Sequence, residues 1–266
     1  MNRAEPSAAT NSAPLSKYVL GMRVDATSYA DTSQRVLEWA TRGDSRYVCV
    51  ANVHMTMESY DATNFRHIVN SADLVTPDGM PLVWMLRRLG VPDQGRVAGP
   101  ELLPRICKVA AQKGIPVGFY GGTDATLAAL KHRLLRRFPG LKVAYAYSPP
   151  FRPLTEKEDE RVVQEINSSG ARILFVGLGC PKQERWMAEH KGRVRAVMLG
   201  VGAAFDFHAG KVPQAPAWMQ RMGLEWLFRL ATEPRRLWRR YAKHNPRFVV
   251  LALMQLLGLR RFEGER

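Results

Sequence analysis

Three short polar segments, each directly after an apolar run, carry side chains that can act on a substrate. The first is Thr76-Pro77-Asp78-Gly79, where a carboxylate stands between an apolar run and an apolar helical pattern. An aspartate in this position predicts either a general base that deprotonates a substrate hydroxyl or the N-cap of the helix after Gly79. Local sequence alone favours the cap.

The second segment is Gly121-Gly122-Thr123-Asp124, which follows the apolar run at 116–120. Glycines let a backbone approach a ligand closely, and the N-terminus of the next helix attracts phosphate. The alternative is a tight turn capped by Thr123 or Asp124. Both interpretations stay open, and the chain has neither a GxGxxG fingerprint nor a P-loop.

The third segment runs from Gly177 to Glu184 and combines two glycines with three polar side chains. Lys182 can meet a phosphate, and Gln183 can both donate and accept hydrogen bonds. A capped helix start on the surface is the alternative. The crowding of Gly177, Gly179, Lys182 and Gln183 in one loop favours a binding function.

No metal site is predicted. Asp206 and His208 follow Gly202 in an apolar setting, but a third ligand is missing nearby, which favours turn and packing residues beside a pocket. The chain has no Asp-x-Asp pair, and Glu158 and Glu160 lie in a highly charged, solvated helix pattern.

Apolar runs alternate with amphipathic patterns, which predicts an α/β fold with a mostly parallel sheet covered by helices on both faces. Ligands bind such sheets beyond the carboxyl ends of the strands, where all three segments fall. Predicted strands are 47–50, 72–75, 116–120, 142–146, 172–176 and 196–201, and predicted helices are 55–70, 80–89, 124–138, 155–168 and 182–190.

The pattern predicts three regions: a disordered tail at 1–16, an α/β core at 17–210 and a basic helical appendage at 211–266. The tail is rich in Ala, Ser and Pro and lacks the apolar centre of a signal peptide. In the appendage strands stop, and prolines divide the chain into short helical segments. These prolines are Pro213, Pro216, Pro234 and Pro246.

The formal net charge is +15, and the appendage holds 12 Lys or Arg against 4 Asp or Glu. This excess predicts an anionic partner: nucleic acid, an anionic membrane face or a phosphorylated substrate. Cys49, Cys107 and Cys180 are too widely spaced for a disulfide framework or zinc cluster, and they fit a reducing cytosol. No window has the ~20 apolar residues of a spanning helix.

Seven motifs occur in order: ANVHM, ADLVTPDGMPLVW, RVAGPEL, GFYGG, GLGCPKQERWM, GVGAAFDFHAG and GLEWLFRLATEPRRLWRRY. Together they resemble the WecG/TagA/CpsF glycosyltransferases over roughly residues 17–257. The resemblance implies a Rossmann-like core, a helical C-terminal appendage, and inverting, metal-independent sugar transfer without a cofactor. It also implies a UDP-sugar donor (N-acetylmannosamine or a hexose such as glucose), an undecaprenyl-diphosphate-linked saccharide acceptor, and peripheral attachment at the cytoplasmic face of the inner membrane.

The resemblance also assigns residues. Asp78 matches the proposed catalytic base, Asn52 a pocket asparagine, and Gln183 a pocket glutamine. Ala51 precedes Asn52, so the family's Thr hydroxyl is missing here. Arg229, Arg236 and Arg239 match arginines that close over the diphosphate, with Arg235 and Arg240 as close competitors. The full predicted binding set is Asn52, Thr76, Gly79, Gly121, Gly122, Gly177, Gly179, Lys182, Gln183, Gly202, Arg229, Arg236 and Arg239.

The appendage mixes aromatic residues with arginine, which suits a membrane surface. Trp226, Phe228, Trp238 and Tyr241 are predicted at the lipid headgroups, and the apolar stretch 248–257 is too short to span. The alternative is a helix that packs on the core or on a second copy of the chain, as in a homo-oligomer.

Two other functions compete with sugar transfer. A basic nucleic-acid-binding protein fits the charge, but the sequence shows no recognition helix, zinc finger or RNP-like strand. A Rossmann-type oxidoreductase fits the strand–helix alternation but lacks the glycine fingerprint and its downstream acidic residue. We therefore expect no nucleic-acid partner.

Overall fold

The computed structural model describes residues 13–264, and within this range the chain forms eight strands and twelve helices. The strands are β1 (Ser16–Val19), β2 (Met22–Asp25), β3 (Arg46–Ala51), β4 (Leu74–Pro77), β5 (Val117–Gly121), β6 (Val143–Tyr147), β7 (Ile173–Gly177) and β8 (Val197–Gly200). The helices are α1 (Tyr29–Arg42), α2 (Val53–Asp61), α3 (Thr63–Asn70), α4 (Met80–Arg88), α5 (Gly99–Lys113), α6 (Asp124–Arg137), α7 (Glu156–Ser169), α8 (Lys182–His190), α9 (Ala204–Ala209), α10 (Ala217–Arg221), α11 (Glu225–Thr232) and α12 (Pro234–Leu256).

The main sheet has six parallel strands in the order β4-β3-β8-β7-β5-β6. This confirms the predicted α/β, Rossmann-like arrangement. Register pairs Cys49 with Gly200, Gly200 with Val176, and Gly177 with Gly121. The strands therefore end together, and the loops that follow them share one edge.

Side chains of the sheet alternate between two apolar layers, as the two-residue repeat of a strand requires. In β3, Tyr47, Cys49 and Ala51 pack with α2, α3, α4, α8 and α12, whereas Val48 and Val50 pack with α1, α5, α6 and α9. All five side chains are at most 5% exposed. The helices on both faces thus bury the sheet and hold its carboxyl edge rigid.

A two-stranded antiparallel hairpin, β1–β2, lies beside the main sheet and was not predicted. Asp25 at its end is 1% exposed and accepts a 2.7 Å hydrogen bond from the backbone N–H of Val75 in β4. Its strands of four residues are too short for a clear sequence pattern. Residues 1–12 of the predicted tail lie outside the described residues, and Ser16 already belongs to β1.

Two helical predictions were wrong in detail. The single helix predicted at 55–70 is two helices, because Ala62 takes an extended conformation between α2 and α3. Pro246 does not end a helix but lies inside α12. Burial of Leu237, Phe248 and Leu251 on either side of it offsets the lost backbone hydrogen bond.

The helices α10–α12 follow the last strand, and α12 packs along α2 and the hairpin. Gln255 of α12 accepts from the N–H of Leu20 at 3.0 Å and donates to the carbonyl of Tyr18 at 2.8 Å. No helix between residues 13 and 264 combines the length and apolarity that a membrane crossing needs. The division at residue 210 stays a prediction about domain organisation.

Candidate active site

The carboxyl edge of the sheet is surrounded by helix N-termini. The helices α2, α4, α6 and α8 each begin within five residues of the end of the strand before them. Free backbone N–H groups and the positive dipole ends of these helices favour a bound anion. The edge is therefore electrostatically suited to phosphate without any side-chain charge.

Asp78 lies at this edge, directly after β4, and its N–H donates to the carbonyl of Ala51 at 2.8 Å. The N-cap of α4 is Gly79, and no side chain caps this helix. The cap interpretation of Asp78 is therefore wrong. Its carboxylate instead accepts a 3.0 Å hydrogen bond from Nη2 of Arg96 and keeps 20% of its side-chain surface exposed.

Arg96 connects Asp78 with the C-terminal helices. Its Nε donates to the backbone carbonyl of Asp78 at 2.5 Å, and its Nη2 also reaches Oε2 of Glu225 in α11 at 2.7 Å. Its Nη1 donates to Oε1 of Gln220 in α10 at 3.0 Å. One guanidinium thus joins the strand end, α10 and α11.

Burial raises the pKa of Asp78 to about 6; the positive charge of Arg96 opposes this, and the negative charge of Glu225 adds to it. A general base works best when its pKa lies near the working pH. A large fraction of it is then ionised, and the ionised form is still basic enough to accept a proton. The carboxylate is therefore mostly ionised at pH 7 and poised for proton transfer.

The residues around Asp78 hold the strand ends and the helix starts in place. Thr76 is fully buried, and its hydroxyl donates to the carbonyl of Val97 at 3.2 Å, so it holds the strand end in place. Asn52 caps α2 by accepting from the N–H of Met55 at 3.2 Å. A Cβ added to Gly79 would lie 3.6 Å from Asn52. The loops after β3 and β4 are in contact here.

The Gly121-Gly122 loop forms a capped turn. Thr123 accepts from the N–H of Thr126, which confirms the predicted N-cap of α6. Gly121 has φ +118°, and an added Cβ would lie 2.6 Å from the carbonyl of Gly177, so only glycine fits. Lys211 donates to the Thr123 hydroxyl at 3.1 Å and adds a positive charge beside this helix N-terminus.

Gln183 is 4% exposed, and its polar atoms are used within the protein. Its Oε1 accepts from the N–H of Gly179 at 3.2 Å, and its Nε2 donates to Glu184 at 2.7 Å. A Cβ on Gly202 would lie 3.5 Å from Gln183. The glutamine therefore braces two loops of the edge, while Lys182 beside it is exposed.

Glu184 is fully buried, and burial raises its pKa to about 7 despite hydrogen bonds from Gln183 and Cys180. Its Oε2 has no partner among residues 13–264. A buried carboxyl of this kind is partly protonated at neutral pH. Its role in the structure is to orient the amide of Gln183.

Asp206 and His208 behave as turn and packing residues, as predicted. The carbonyl of Asp206 accepts from the N–H of Lys211 at 2.9 Å. Nε2 of His208 lies 2.6 Å from the carbonyl of Pro100, and burial lowers its pKa. His208 thus joins α9 to α5, and Asp206 holds the turn after α9.

The three predicted appendage arginines lie in different settings. Arg229 stacks over the ring of Phe207 in α9 at 5.5 Å and is 17% exposed, which places it against the edge. Arg236 pairs with Glu233 and is 57% exposed. Arg239 is exposed beside Trp238. The structure brings only Arg229 of these three against α9.

Sequence reasoning missed two cations at the edge, Arg96 and Lys211. Arg96 opens the motif RVAGPEL, and this position in an ordered motif was the available signal. Lys211 had no comparable signal, because it lies 88 residues from Thr123 in the chain. Both supply charge where the fold already favours an anion.

Comparison with known proteins agrees with the geometry. The family model "Glycosyl transferase WecG/TagA/CpsF family" matches residues 17–262. The chain is 31% identical over 231 residues to the N-acetylglucosaminyldiphosphoundecaprenol N-acetyl-beta-D-mannosaminyltransferase of Bacillus spizizenii, covering 86% of this chain and 87% of that protein. It is 26% identical over 224 residues to the protein of the same name from Staphylococcus aureus, covering 83% and 86%. The chain therefore belongs to the WecG/TagA/CpsF family and is a glycosyltransferase.

Proposed function

We propose that this glycosyltransferase moves N-acetylmannosamine or a hexose from a UDP donor onto an undecaprenyl-diphosphate-linked saccharide, with inversion and without a metal ion in the reaction. The observation that carries the proposal is Asp78, a half-buried carboxylate with a raised pKa at the carboxyl edge. The names of the two relatives support the choice of acceptor and of N-acetylmannosamine.

Asp78 serves as the general base. In a single displacement, Asp78 takes the proton from the acceptor hydroxyl as that oxygen attacks the anomeric carbon. The bond from this carbon to the diphosphate oxygen breaks on the opposite face, and UDP leaves with the electron pair. One base suffices for such a step. Because the attack and the departure occur on opposite faces, the displacement inverts the anomeric configuration.

The leaving UDP gains negative charge, which the carboxyl edge is built to stabilise. The N-termini of α6 and α8 contribute their backbone N–H groups, and Lys182, Lys211 and Arg229 contribute side-chain charge. Arginine binds two phosphate oxygens at once through its planar fork. These groups make a metal ion unnecessary for leaving-group departure.

A donor panel tests the reaction. With a short-chain prenyl-diphosphate-GlcNAc acceptor, we expect acceptor-dependent UDP release from UDP-ManNAc or from a UDP-hexose such as UDP-glucose, and not from UDP-GlcNAc. This release is expected to be unchanged by EDTA. NMR of the product is expected to show the inverted anomer. Turnover that EDTA abolishes and Mg²⁺ or Mn²⁺ restores argues against metal-free transfer, and a retained anomer argues against single displacement.

We also propose that the C-terminal helices rest on the cytoplasmic face of the inner membrane. Large apolar side chains are exposed there: Trp226 is 40%, Trp238 52% and Leu253 53% exposed. Arg235 and Arg236 lie close by on α12. Aromatic residues with flanking arginine favour the lipid headgroup region. Of the other predicted headgroup residues, Phe228 and Tyr241 are half-buried.

Vesicle sedimentation tests this surface. We expect binding to vesicles with about 30% anionic lipid and weaker binding to neutral vesicles, because each basic residue near the surface adds roughly 1 kcal/mol. The double variant Trp226→Ser/Trp238→Ser is expected to lose most of this binding. The control Phe151→Ser changes an aromatic residue that is 93% exposed in the loop between β6 and α7, outside the C-terminal helices. Equal binding by both variants would count against the proposed surface.

The two competing functions receive no support. Neither relative is named for nucleic-acid binding or for oxidation and reduction. The basic charge is accounted for by the phosphates of the donor and acceptor and by the anionic membrane surface. Sugar transfer is the single function that the family, the edge and the charge all favour.

A further inference from the structure

Two histidines and a carboxylate meet between α2 and α12, and none of the three is assigned a role in sugar transfer. Nδ1 of His54 lies 3.8 Å from Oε1 of Glu58, and Nε2 of His244 lies 3.6 Å from the same oxygen. All three ligand atoms lie within 4.8 Å of one another. No proton-sharing hydrogen bond of ordinary length joins them, because such bonds are about 2.7–3.2 Å long.

One histidine of this cluster is buried, the other is half-buried, and their hydrogen bonding is incomplete. His244 is 4% exposed, and Nδ1 of His54, the atom that faces Glu58, has no hydrogen-bond partner among residues 13–264. Buried polar nitrogens without partners are rare, and each calls for an explanation such as an ion. The ring of His54 also makes a hydrogen bond to the backbone of Cys180. Such an outer contact is typical of metal-ligating histidine, since it fixes the ring orientation.

The spacing fits a small divalent ion. Zinc binds His nitrogen and carboxylate oxygen at about 2.0–2.2 Å, so the ligands of a tetrahedral site lie roughly 3.4 Å apart. The two distances to Glu58 are within a few tenths of an ångström of that spacing. Side-chain rotation then has to bring the two histidine nitrogens, which are at most 4.8 Å apart, to the same spacing. His54 and Glu58 are one helical turn apart on α2, which places both on one face.

We propose that His54, Glu58 and His244 bind one zinc ion that joins α2 to α12. Two imidazoles and one carboxylate are donors that zinc accepts readily, and they leave its fourth position for water. The ion lies outside the sugar-transfer steps and acts as a cross-link. It fixes the C-terminal helix to the helix whose N-cap is Asn52.

The surrounding charges are compatible with such an ion. Asp61 pairs with Arg247 at 2.6 Å and lies 3.8 Å from Lys243, so these two cations are compensated. Arg240 acts on His54 electrostatically and opposes a bound cation. The anionic Glu58 offsets this charge at the site itself.

The test is direct metal binding by the full chain. After removal of metals with a chelator, the wild type is expected to retain one equivalent of Zn²⁺ in dialysis, measured by elemental analysis. Co²⁺ in place of Zn²⁺ is expected to give the visible absorption bands of a four-coordinate site. Zinc is expected to raise Tm, because it binds only the folded state.

The variants His54→Gln, Glu58→Gln and His244→Gln are each expected to weaken Zn²⁺ binding by about tenfold or more and to lose the Co²⁺ bands and the Tm rise. The matched control His132→Gln changes an exposed histidine of α6 and is expected to bind like the wild type. Because His54 and Glu58 are only half-buried, their variants report binding even if His244→Gln folds poorly. A wild type that retains no zinc, or folded Glu58→Gln that binds it equally, overturns the proposal.

Discussion

Asp78→Asn is expected to lower kcat by about a thousandfold, because removal of a general base typically costs 10²–10⁴ in rate. The amide keeps an oxygen for the hydrogen bond from Arg96, so the strand end and the fold stay intact. The rate of UDP release in the presence of a lipid-linked acceptor gives kcat for the wild type and the variant. Their thermal unfolding curves show whether the variant is folded.

The control for this variant is Asp93→Asn, which changes an exposed aspartate in the loop between α4 and α5. It is expected to keep wild-type turnover. In the wild type, kcat/KM is expected to rise with pH through about 6, since the base acts only when ionised. An Asp78→Asn enzyme with full activity would falsify the assignment of the base.

Arg96→Gln and Glu225→Gln are expected to shift this pH dependence in opposite directions. Arg96 holds the pKa of Asp78 down, so the loss of Arg96 raises this pKa by roughly 1–2. The acidic limb of the pH profile, in which kcat/KM rises as Asp78 ionises, then moves to higher pH. Activity of Arg96→Gln at pH 7 then falls about two- to tenfold from protonation alone and recovers towards pH 9. Glu225 raises the pKa of Asp78, so Glu225→Gln moves the limb to lower pH.

The measurement is kcat/KM between pH 5 and 9 for the wild type and both variants. Glu225→Gln keeps an oxygen that accepts from Arg96, so it removes charge and little else. If the acidic limb of the kcat/KM profile moves in the same direction in both variants, Asp78 is not the titrating base. If the limb stays at the same pH in both variants, another group is the titrating base.

The sheet was predictable because its strands are short, mostly apolar runs that alternate with amphipathic helical patterns, and all six predicted strands overlap strands of the structure. The β1–β2 hairpin was missed, since its strands are only four residues long. Helices α1 and α5 received no prediction. The position of Pro246 inside α12 depends on packing against the core, which local sequence rules do not describe.

In the candidate site, only the positions of residues that directly follow strands were predictable from the sequence. Asp78, the glycine loops and Lys182 follow strands, so topology alone gathers them. The partners of these residues depend on long-range contacts: Arg96 lies 129 residues from Glu225 and 124 from Gln220. For the same reason, local rules favoured a helix cap for Asp78, although its carboxylate is bound by a side chain from the next loop.

The glycines of the carboxyl edge exclude a side chain for different reasons, either steric overlap with a neighbour or a positive φ. This difference affects how mutational data are interpreted. A methyl group on Gly177 would lie 2.6 Å from the ring of Phe205, and one on Gly121 would collide with Gly177 itself. Gly179 has a positive φ of 80° but open space around it. Loss of function at Gly121 or Gly177 therefore carries no information about nucleotide contacts. At Gly179, asparagine tolerates the backbone conformation, so intolerance of asparagine there would point to a ligand occupying the open space.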